Sequence, residues 1–386
     1  MSKYIVQGST LTALANVIRE KTGNTEMLTP EQMAIEISEI PEMEVGEDTL
    51  GKRLNGEITE YYNDKVKNII PYAFYSNSIL TNVSFPNCST IGNSAFGNCA
   101  GLTSVSFPMC TTIGQYAFSM CSNLTSVNFP ACISVGSYAF YNCSNLTSVN
   151  FPVLPSTAPY MFYYCSGITD VNFSTCTTIG SSTFMSCYGL TQGLDLPACT
   201  HVGNDAFRYC SELTSINLPV CTNISFSAFA CCYKLTSFNL PLISSLPNYA
   251  FAYCSSLTNV EHTGVTDIGN FVFCYCKSLT NVSFPNCITI GTAAFLSCTS
   301  LTSISCPACS AIGSYAFRNC TSLTTIILAS TAVCTLGNSS TFVSTPIASG
   351  TGYIYVPSSL VSSYQTATNW SYYSAQFSAI EDMTTI

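Results

Sequence analysis

Apolar and polar positions along the chain follow a pattern that repeats about every 22 residues. One repeat runs from Cys110 to Pro130 and contains Phe118, and a phenylalanine returns at this position in every repeat, with one step of 23 before Phe207. The recurring residues are Phe74, Phe96, Phe118, Phe140, Phe162, Phe184, Phe207, Phe229, Phe251, Phe273, Phe295 and Phe317. A period in the twenties is typical of a solenoid of stacked single coils, and about a dozen repeats cover residues 66–337.

Each repeat contains the pattern of a short β-strand. Leu124, Val127 and Phe129 are apolar, and one polar residue separates the last two, as alternation along a strand requires. Strands stacked coil on coil predict a parallel sheet, and Pro130 ends the strand because proline has no backbone donor. The segment Tyr116–Phe118 predicts a helical turn that places the phenylalanine ring in the interior.

The repeat resembles the BspA-like leucine-rich repeat, whose consensus is I-G-x-x-A-F-x-x-C-x-x-L-T-S-V-x-F-P. The match recurs in almost every repeat. The resemblance implies an α/β solenoid, a single-coil leucine-rich-repeat right-handed superhelix with a parallel sheet. The family is found on bacterial surface proteins and is linked to adhesion and host contact, so the resemblance also implies recognition.

A small helical element is expected before the repeats. Apolar residues recur at helical spacing from Leu11 to Ile18, and the segment 29–32 has the T-x-x-Q pattern of a capping box. Helices at about 10–21 and 30–40 therefore predict a hairpin. This segment resembles an N-terminal element of phage tail and prophage-encoded structural proteins, which implies docking to a phage particle through residues 1–45.

A C-terminal cap is expected after the repeats, since the open end of a solenoid needs covering. Thr351–Pro357 predicts a last strand, Tyr364 lies in a segment with helical spacing, and Trp370 is expected in the core. This tail resembles the closing segment Y-V-P-x-x-L-V-x-x-Y-x-x-A-x-N-W found after such repeats.

Four parts follow from these patterns. They are a helical hairpin and candidate docking element at 1–45, a linker and N-terminal capping coil at 46–71, BspA-like repeats at 72–337, and the C-terminal cap at 338–386.

Composition narrows the function classes. Only 8% of residues are charged while 47% are hydrophobic, a balance opposite to that of a disordered chain. No uninterrupted apolar run is long enough for a transmembrane segment. The net charge of −9 with 11 Lys and Arg argues against nucleic-acid binding. The first residues lack the pattern of a classical signal peptide, so we expect a bacterial cell-surface protein in mature form or a phage-particle protein.

Most of the 23 cysteines fall into two ladders. The first cysteine ladder lies three residues after the recurring phenylalanine: Cys99, Cys121, Cys143, Cys165, Cys187, Cys210, Cys232, Cys254, Cys276, Cys298 and Cys320. The second cysteine ladder lies two residues after the strand proline: Cys88, Cys110, Cys132, Cys176, Cys199, Cys221, Cys287 and Cys309. Leu154, Ile243 and Val265 replace cysteine in the second ladder, which indicates core positions and mostly reduced, buried thiols. Distance alone does not exclude disulfides between neighbouring coils.

No catalytic or metal-binding constellation is visible. Cys306-Pro-Ala-Cys309 has the C-x-x-C form of redox and metal motifs, but the repeat register already explains both cysteines. His201 and His262 lie nearly three coils apart, and both are expected to be partly buried structural residues. We therefore expect no enzyme, no metal and no cofactor.

Two surfaces are candidates for ligand binding. The first is the concave face of the sheet, where one polar residue per strand points outward: Asn128, Asn150, Asn172, Asp195, Asn217, Asn239 and Glu261. Such groups can bind a glycan or an extended peptide, or can bond only to each other. The second surface is aromatic: Tyr160, Tyr163, Tyr164, Tyr249, Tyr253 and Tyr275. These rings suit sugar stacking or protein contacts, or can pack only between coils.

The sequence therefore predicts a non-enzymatic recognition or adhesion protein that presents an extended repeat surface to a protein or glycan. The alternative is a phage or prophage tail-associated component that recognises a host surface.

Overall fold

The computed structural model describes residues 59–191 and 193–383, and the chain divides after Leu190 into two compact units. The expected N-terminal helices at 10–21 and 30–40 lie outside the described residues. Each unit is a solenoid of parallel strands, and the fold as a whole has about 14 turns and few helices. The predicted parallel-sheet solenoid is confirmed.

One short strand per coil builds the strand face, which is the sheet that carries the outward polar column. In the first unit these strands are Glu60–Tyr62, Asn82–Ser84, Ser104–Ser106, Ser126–Asn128, Ser148–Asn150 and Asp170–Asn172. In the second unit they are Leu194–Asp195, Ser215–Asn217, Ser237–Asn239, Asn259–Glu261, Asn281–Ser283, Ser303–Ser305, Thr325–Ile327, Tyr353–Val356 and Phe377–Ala379. Within each of the separate sheets that make up this face, paired strands are parallel with equivalent residues in register, as Val127 pairs with Val149.

A second set of two-residue strands comes a few residues after the strand-face strands, in most coils after the strand proline. In the first unit it comprises Asn68–Ile69, Thr90–Ile91, Thr112–Ile113, Ser134–Val135 and Thr178–Ile179. In the second unit it comprises His201–Val202, Asn223–Ile224, Ser245–Leu246, Asp267–Ile268, Thr289–Ile290, Ala311–Ile312 and Thr335–Leu336. These strands add a second line of hydrogen bonds between neighbouring coils.

The third side of each coil, here called the turn face, is not helical, and the helical turn predicted for Tyr116–Phe118 is wrong. Tyr116 and Met120 have positive φ angles of 55° and 59°, which a right-handed helix does not allow. The N–H groups of Tyr116, Phe118 and Met120 each donate to a carbonyl of the next coil over 2.7 to 3.1 Å. Bonds between coils therefore alternate with local bonds to the residue three positions back, such as the Ser119 N–H to the Tyr116 carbonyl over 3.1 Å.

The core is a stack of phenylalanine rings. Phe118 is fully buried, and its ring lies 5.1 Å from that of Phe96 and 5.3 Å from that of Phe140, nearly parallel to both. The second unit repeats this arrangement, with 5.7 Å between Phe229 and Phe251. Ring stacking along the solenoid adds to the burial of apolar surface.

The C-terminal end of the second unit is closed by short helices. These are the α-helices Pro346–Ser349 and Val361–Thr366 and the 3₁₀ helices Ser358–Leu360, Trp370–Gln376 and Ile380–Asp382. Trp370 is fully buried and its indole N–H donates to the Cys334 carbonyl over 2.6 Å, which confirms the predicted core position of Trp370. Within the described residues, no helix has the length and apolar character to cross a membrane.

Candidate functional site

The polar residues predicted for the strand face of the first unit form a hydrogen-bonded column. The side-chain amide of Asn150 donates to Oδ1 of Asn128 over 2.7 Å, and that of Asn172 donates to Oδ1 of Asn150 over 2.6 Å. The parallel register places these three residues directly above one another. The column is therefore a product of the 22-residue repeat.

The second unit has a column of its own. Asn217 donates to Asp195 over 2.9 Å, and Asn239 donates to Asn217 over 2.8 Å. Glu261 is also exposed on a strand, where it lies in register with Ser283. The structure thus brings together three of the four residues predicted in this unit and places Glu261 in the adjoining part of the same face.

Each column asparagine retains hydrogen-bonding capacity toward solvent. A side-chain amide has two N–H donors and two acceptor lone pairs, and the column uses one of each at Asn150. Because the bonds within the column fix the amide orientation, the remaining donor and acceptor are held in place before any ligand arrives. Such preorganisation lowers the entropy cost of binding.

Threonines hold the coils that carry the column. The hydroxyl of Thr147 donates to the carbonyl of Thr125 over 3.0 Å, and that of Thr169 donates to the carbonyl of Thr147 over 3.3 Å. These side chains stand just before the strands, so they fix the distance between neighbouring column residues. Their hydroxyl protons are already used within the protein.

Much of the repeat surface of the first unit is uncharged, although Asp170 lies on the strand that carries Asn172 and accepts from the Ser148 hydroxyl over 3.3 Å. From Asn68 to Thr169 the sequence contains no Asp, Glu, Lys, Arg or His. Long-range electrostatic steering of a ligand is therefore weak along this stretch. Hydrogen bonds and apolar contacts are the interactions that it can offer.

The predicted tyrosines of the first unit lie on the turn face and pack against each other. The ring of Tyr160 stacks on that of Tyr138 at 4.6 Å, and the rings of Tyr163 and Tyr164 lie 4.3 Å apart. The Tyr164 hydroxyl, hydrogen-bonded to Tyr163, together with burial raises the pKa of Tyr163 to about 12. Tyr160 and Tyr164 both have positive φ angles, near 60°.

The second unit has two further stacks. Tyr249 stacks on Phe271 at 4.8 Å, and Tyr253 stacks on Tyr275 at 4.9 Å. A ring face that lies against another ring is closed to a sugar, so the geometry gives the tyrosines a packing role between coils. Ring edges and hydroxyl groups remain at the surface, as the 42% exposure of Tyr253 indicates.

The cysteine ladders have distinct contacts that sequence reasoning missed. In the first ladder the thiol donates to the carbonyl of the phenylalanine one coil earlier, as Cys121 does to Phe96 over 3.1 Å. In the second ladder the thiol donates to a carbonyl two residues ahead in its own coil, as Cys132 does to Ser134 over 3.4 Å. The predicted burial of both ladders is confirmed. One sequence feature could have indicated this difference. Apolar residues such as Leu154 replace cysteine in the second ladder but not in the first.

The histidines differ from each other. His262 is buried, as predicted. Its Nε2 lies 2.6 Å from the Leu240 carbonyl and its Nδ1 accepts from the Gly264 N–H over 3.1 Å, so the Nε2–H tautomer is fixed. His201 is exposed, which corrects the expectation of partial burial, because its strand position points away from the core and its Nδ1 lies 2.8 Å from the Thr200 hydroxyl. Among residues 59–191 and 193–383, no group of three or more His, Cys, Asp or Glu side chains is placed to hold a metal ion.

The family assignment follows from the repeats. The model of the BspA type leucine rich repeat region matches six copies, at residues 67–191, 191–264 and 244–367. The chain is a BspA-type leucine-rich repeat protein. The match covers the coils that carry both strand-face columns and both cysteine ladders.

Solved structures resemble this BspA-type protein in fold. A leucine-rich repeat protein from Bacteroides ovatus is 25% identical, with a TM-score of 0.57 over 71% of this chain and 79% of that one. A leucine rich cell surface protein from Faecalibacterium prausnitzii is 22% identical, with a TM-score of 0.37 over 64% of this chain and 87% of that one. The pneumococcal vaccine antigen PcpA is 17% identical, with a TM-score of 0.42 over 84% of this chain and 76% of that one. No curated protein matches the chain.

Proposed function

We propose that this BspA-type protein is a non-enzymatic recognition protein whose strand face binds an uncharged protein segment or glycan. The observation that carries the proposal is the column Asn128–Asn150–Asn172, which lies within and beside a stretch of sequence without charged residues. A regular row of oriented amides can bind hydroxyl groups of a glycan or the backbone of an extended peptide.

We assign the tyrosine stacks a secondary role in ligand binding. One face of Tyr160, Tyr249, Tyr253 and Tyr275 lies against a neighbouring ring, so exposed edges such as that of Tyr164 can add contacts at a protein interface. We assign ligand binding to the strand face because its amides keep an unused donor and acceptor. On the turn face, tyrosine ring faces lie against other rings.

The test is a binding screen of the full chain against a glycan array and a panel of bacterial and host surface proteins. The same screen is run with the triple variant Asn128→Ala, Asn150→Ala, Asn172→Ala. Hits that the variant loses, while its circular dichroism and urea midpoint show a folded protein, support the proposal. Hits that the variant retains at full strength contradict it.

The alternative function as a phage or prophage tail component depends on residues 1–45, which lie outside the described residues. Deleting these residues would abolish incorporation into a particle under that alternative and leave ligand binding intact under both. No contact of the described coils favours the alternative over recognition by the strand face.

A further inference from the structure

We propose that Cys309 and Cys334 form a disulfide that links the last two repeat coils beneath the C-terminal cap. The two Sγ atoms lie 3.9 Å apart, with the thiol of Cys334 directed at the sulfur of Cys309. Both side chains are fully buried. Neighbouring parallel strands are about 4.8 Å apart, a separation that suits the Cα distance of a disulfide.

The pair is set apart from the rest of the second cysteine ladder by the chain register. Equivalent strand residues of this ladder recur every 22 residues, as Thr289 pairs with Ala311, but the next pair, Ala311 and Thr335, is 24 residues apart. Cys334 consequently stands one residue closer to its strand than the ladder cysteines do. Its sulfur lies 3.9 Å from that of Cys309 and 3.5 Å from the Thr335 carbonyl, whereas Cys309 itself donates to a carbonyl two residues ahead.

The environment favours Cys309 as the attacking thiol. The hydrogen bond from Cys334 lowers the pKa of Cys309 below its ordinary value, whereas burial dominates at most other cysteines and raises theirs. Thiolate character governs reactivity toward disulfides. Cys287 and Cys306 form a neighbouring pair in which the hydrogen bond and burial raise the pKa of Cys306, and the hydrogen bond with Cys309 and burial raise the pKa of Cys334 in the same way. Cys287–Cys306 is therefore the competing cross-link that the test must separate.

The cap controls access to the pair. The backbone N–H of Cys334 donates to the Tyr364 hydroxyl over 2.9 Å, and its carbonyl accepts from the Trp370 indole over 2.6 Å. Both aromatic residues belong to the closing helices. Opening of these helices therefore exposes Cys334 and Cys309 together, and local opening near chain ends needs less free energy than global unfolding.

The reaction needs a small-molecule disulfide as oxidant. The Cys309 thiolate attacks one sulfur of that disulfide, the S–S bond breaks, and a small thiol leaves with a proton. The Cys334 thiolate then attacks the Cys309 sulfur of the mixed disulfide and releases the second small thiol. Two protein thiols are oxidised and one small-molecule disulfide is reduced to two thiols.

The test treats the reduced full chain with oxidised glutathione, followed by thiol counting in denaturant and peptide mapping. The wild type should lose two thiols from its 23 and yield a Cys309–Cys334 cross-linked peptide without a glutathione adduct. Cys309→Ser should lose none, and Cys334→Ser should trap glutathione on Cys309. The matched control Cys298→Ser, in the first ladder of the same unit, should still form the bond.

A second variant tests the proposal even if the closing helices of the wild type open too slowly for the oxidant to reach the pair. Trp370→Phe removes the indole donor to the Cys334 carbonyl and should accelerate cross-linking at least severalfold. The proposal is overturned if wild type and Trp370→Phe both retain all thiols, if Cys334→Ser loses two thiols as the wild type does, or if the cross-link joins Cys287 to Cys306.

Discussion

The thiol of Cys121 donates a hydrogen bond to the backbone carbonyl of Phe96 in the preceding coil, across 3.1 Å. The same contact recurs along the first cysteine ladder, for example from Cys143 to Phe118 over 3.1 Å. A cysteine thus joins two coils at the position where each places its phenylalanine in the core. This relationship explains why the first ladder contains only cysteine from the Phe96 repeat onward, with Asn77 at this position in the Phe74 repeat, while the second ladder accepts larger apolar residues.

The two ladders should respond differently to valine. Cys132→Val should cost less than about 1 kcal/mol of unfolding free energy, because Val265 already occupies the equivalent position. Cys121→Val removes the bond to Phe96 and adds a branched side chain to a fully buried position, so it should cost about 1–3 kcal/mol. Urea unfolding of both variants measures the difference. Equal losses would refute a separate role for the first ladder.

Stability should fall steeply at alkaline pH. Burial raises the pKa of Cys132 from 9.0 to about 11 and that of Cys99 to about 12. The pKa of each thiol is higher in the folded state than in the unfolded state. Its contribution to stability is therefore complete below the unfolded-state pKa and is lost as pH rises through the folded-state pKa. Between these two pKa values, each such thiol lowers the free energy of unfolding by about 1.4 kcal/mol per pH unit.

The measurement is the urea midpoint of the reduced protein from pH 7 to pH 11. The midpoint should stay level to about pH 9, the ordinary pKa of a cysteine thiol, and then decline. Cys132→Val should show a slightly shallower decline than the wild type. A midpoint that is unchanged up to pH 11 would contradict the burial of the thiols.

Positive φ angles on the turn face should be detectable by glycine substitution. Met120 has φ 59° and is 44% exposed, so Met120→Gly relieves backbone strain and should stabilise the protein by about 1 kcal/mol. Tyr138 has a similar φ of 60° but stacks on both Tyr116 and Tyr160. Tyr138→Gly should therefore destabilise by about 1–2 kcal/mol, the loss of two ring contacts less the strain relieved. Stabilisation by both substitutions would mean that the tyrosine stack contributes nothing.

Binding by the first unit should depend little on salt. The sequence between Lys67 and Asp170 has no charged residue, so screening has few charges to act on. The affinity for a ligand found in the screen should change less than about twofold between 50 and 500 mM NaCl, as measured by calorimetry. A tenfold loss would place the contact on charged residues elsewhere in the chain.

The features that depend on repetition could be predicted from the sequence. The parallel strands, the buried cysteine ladders and the outward row at Asn128, Asn150 and Asn172 follow from spacing and alternation alone. Each of these requires only that equivalent residues stack. The core position of Trp370 was predicted differently, from the need to cover the open end of the solenoid and from the resemblance of the tail to a closing segment.

The turn face could not be predicted in the same way. Tyr116 resides in a backbone region that tyrosine rarely adopts, and the bonds that hold it come from the next coil. The ring stack on Tyr138 also exists only after the coils have stacked. Local propensity therefore indicated a helical turn, and contacts between coils override it. The exposure of His201 was missed because its strand has only two residues. Such a short strand has no alternation of apolar and polar residues that would show which side chain points outward.

The most direct test of strand-face recognition compares single substitutions on the two candidate faces. Asn150→Leu removes the central amide of the column, and Tyr164→Asn removes an exposed ring while keeping a residue that tolerates positive φ. Calorimetric affinity for a ligand from the screen should fall at least about tenfold for Asn150→Leu, which corresponds to about 1.4 kcal/mol, and change less than about twofold for Tyr164→Asn. Unchanged binding by Asn150→Leu together with lost binding by Tyr164→Asn would contradict the account and assign recognition to the turn face.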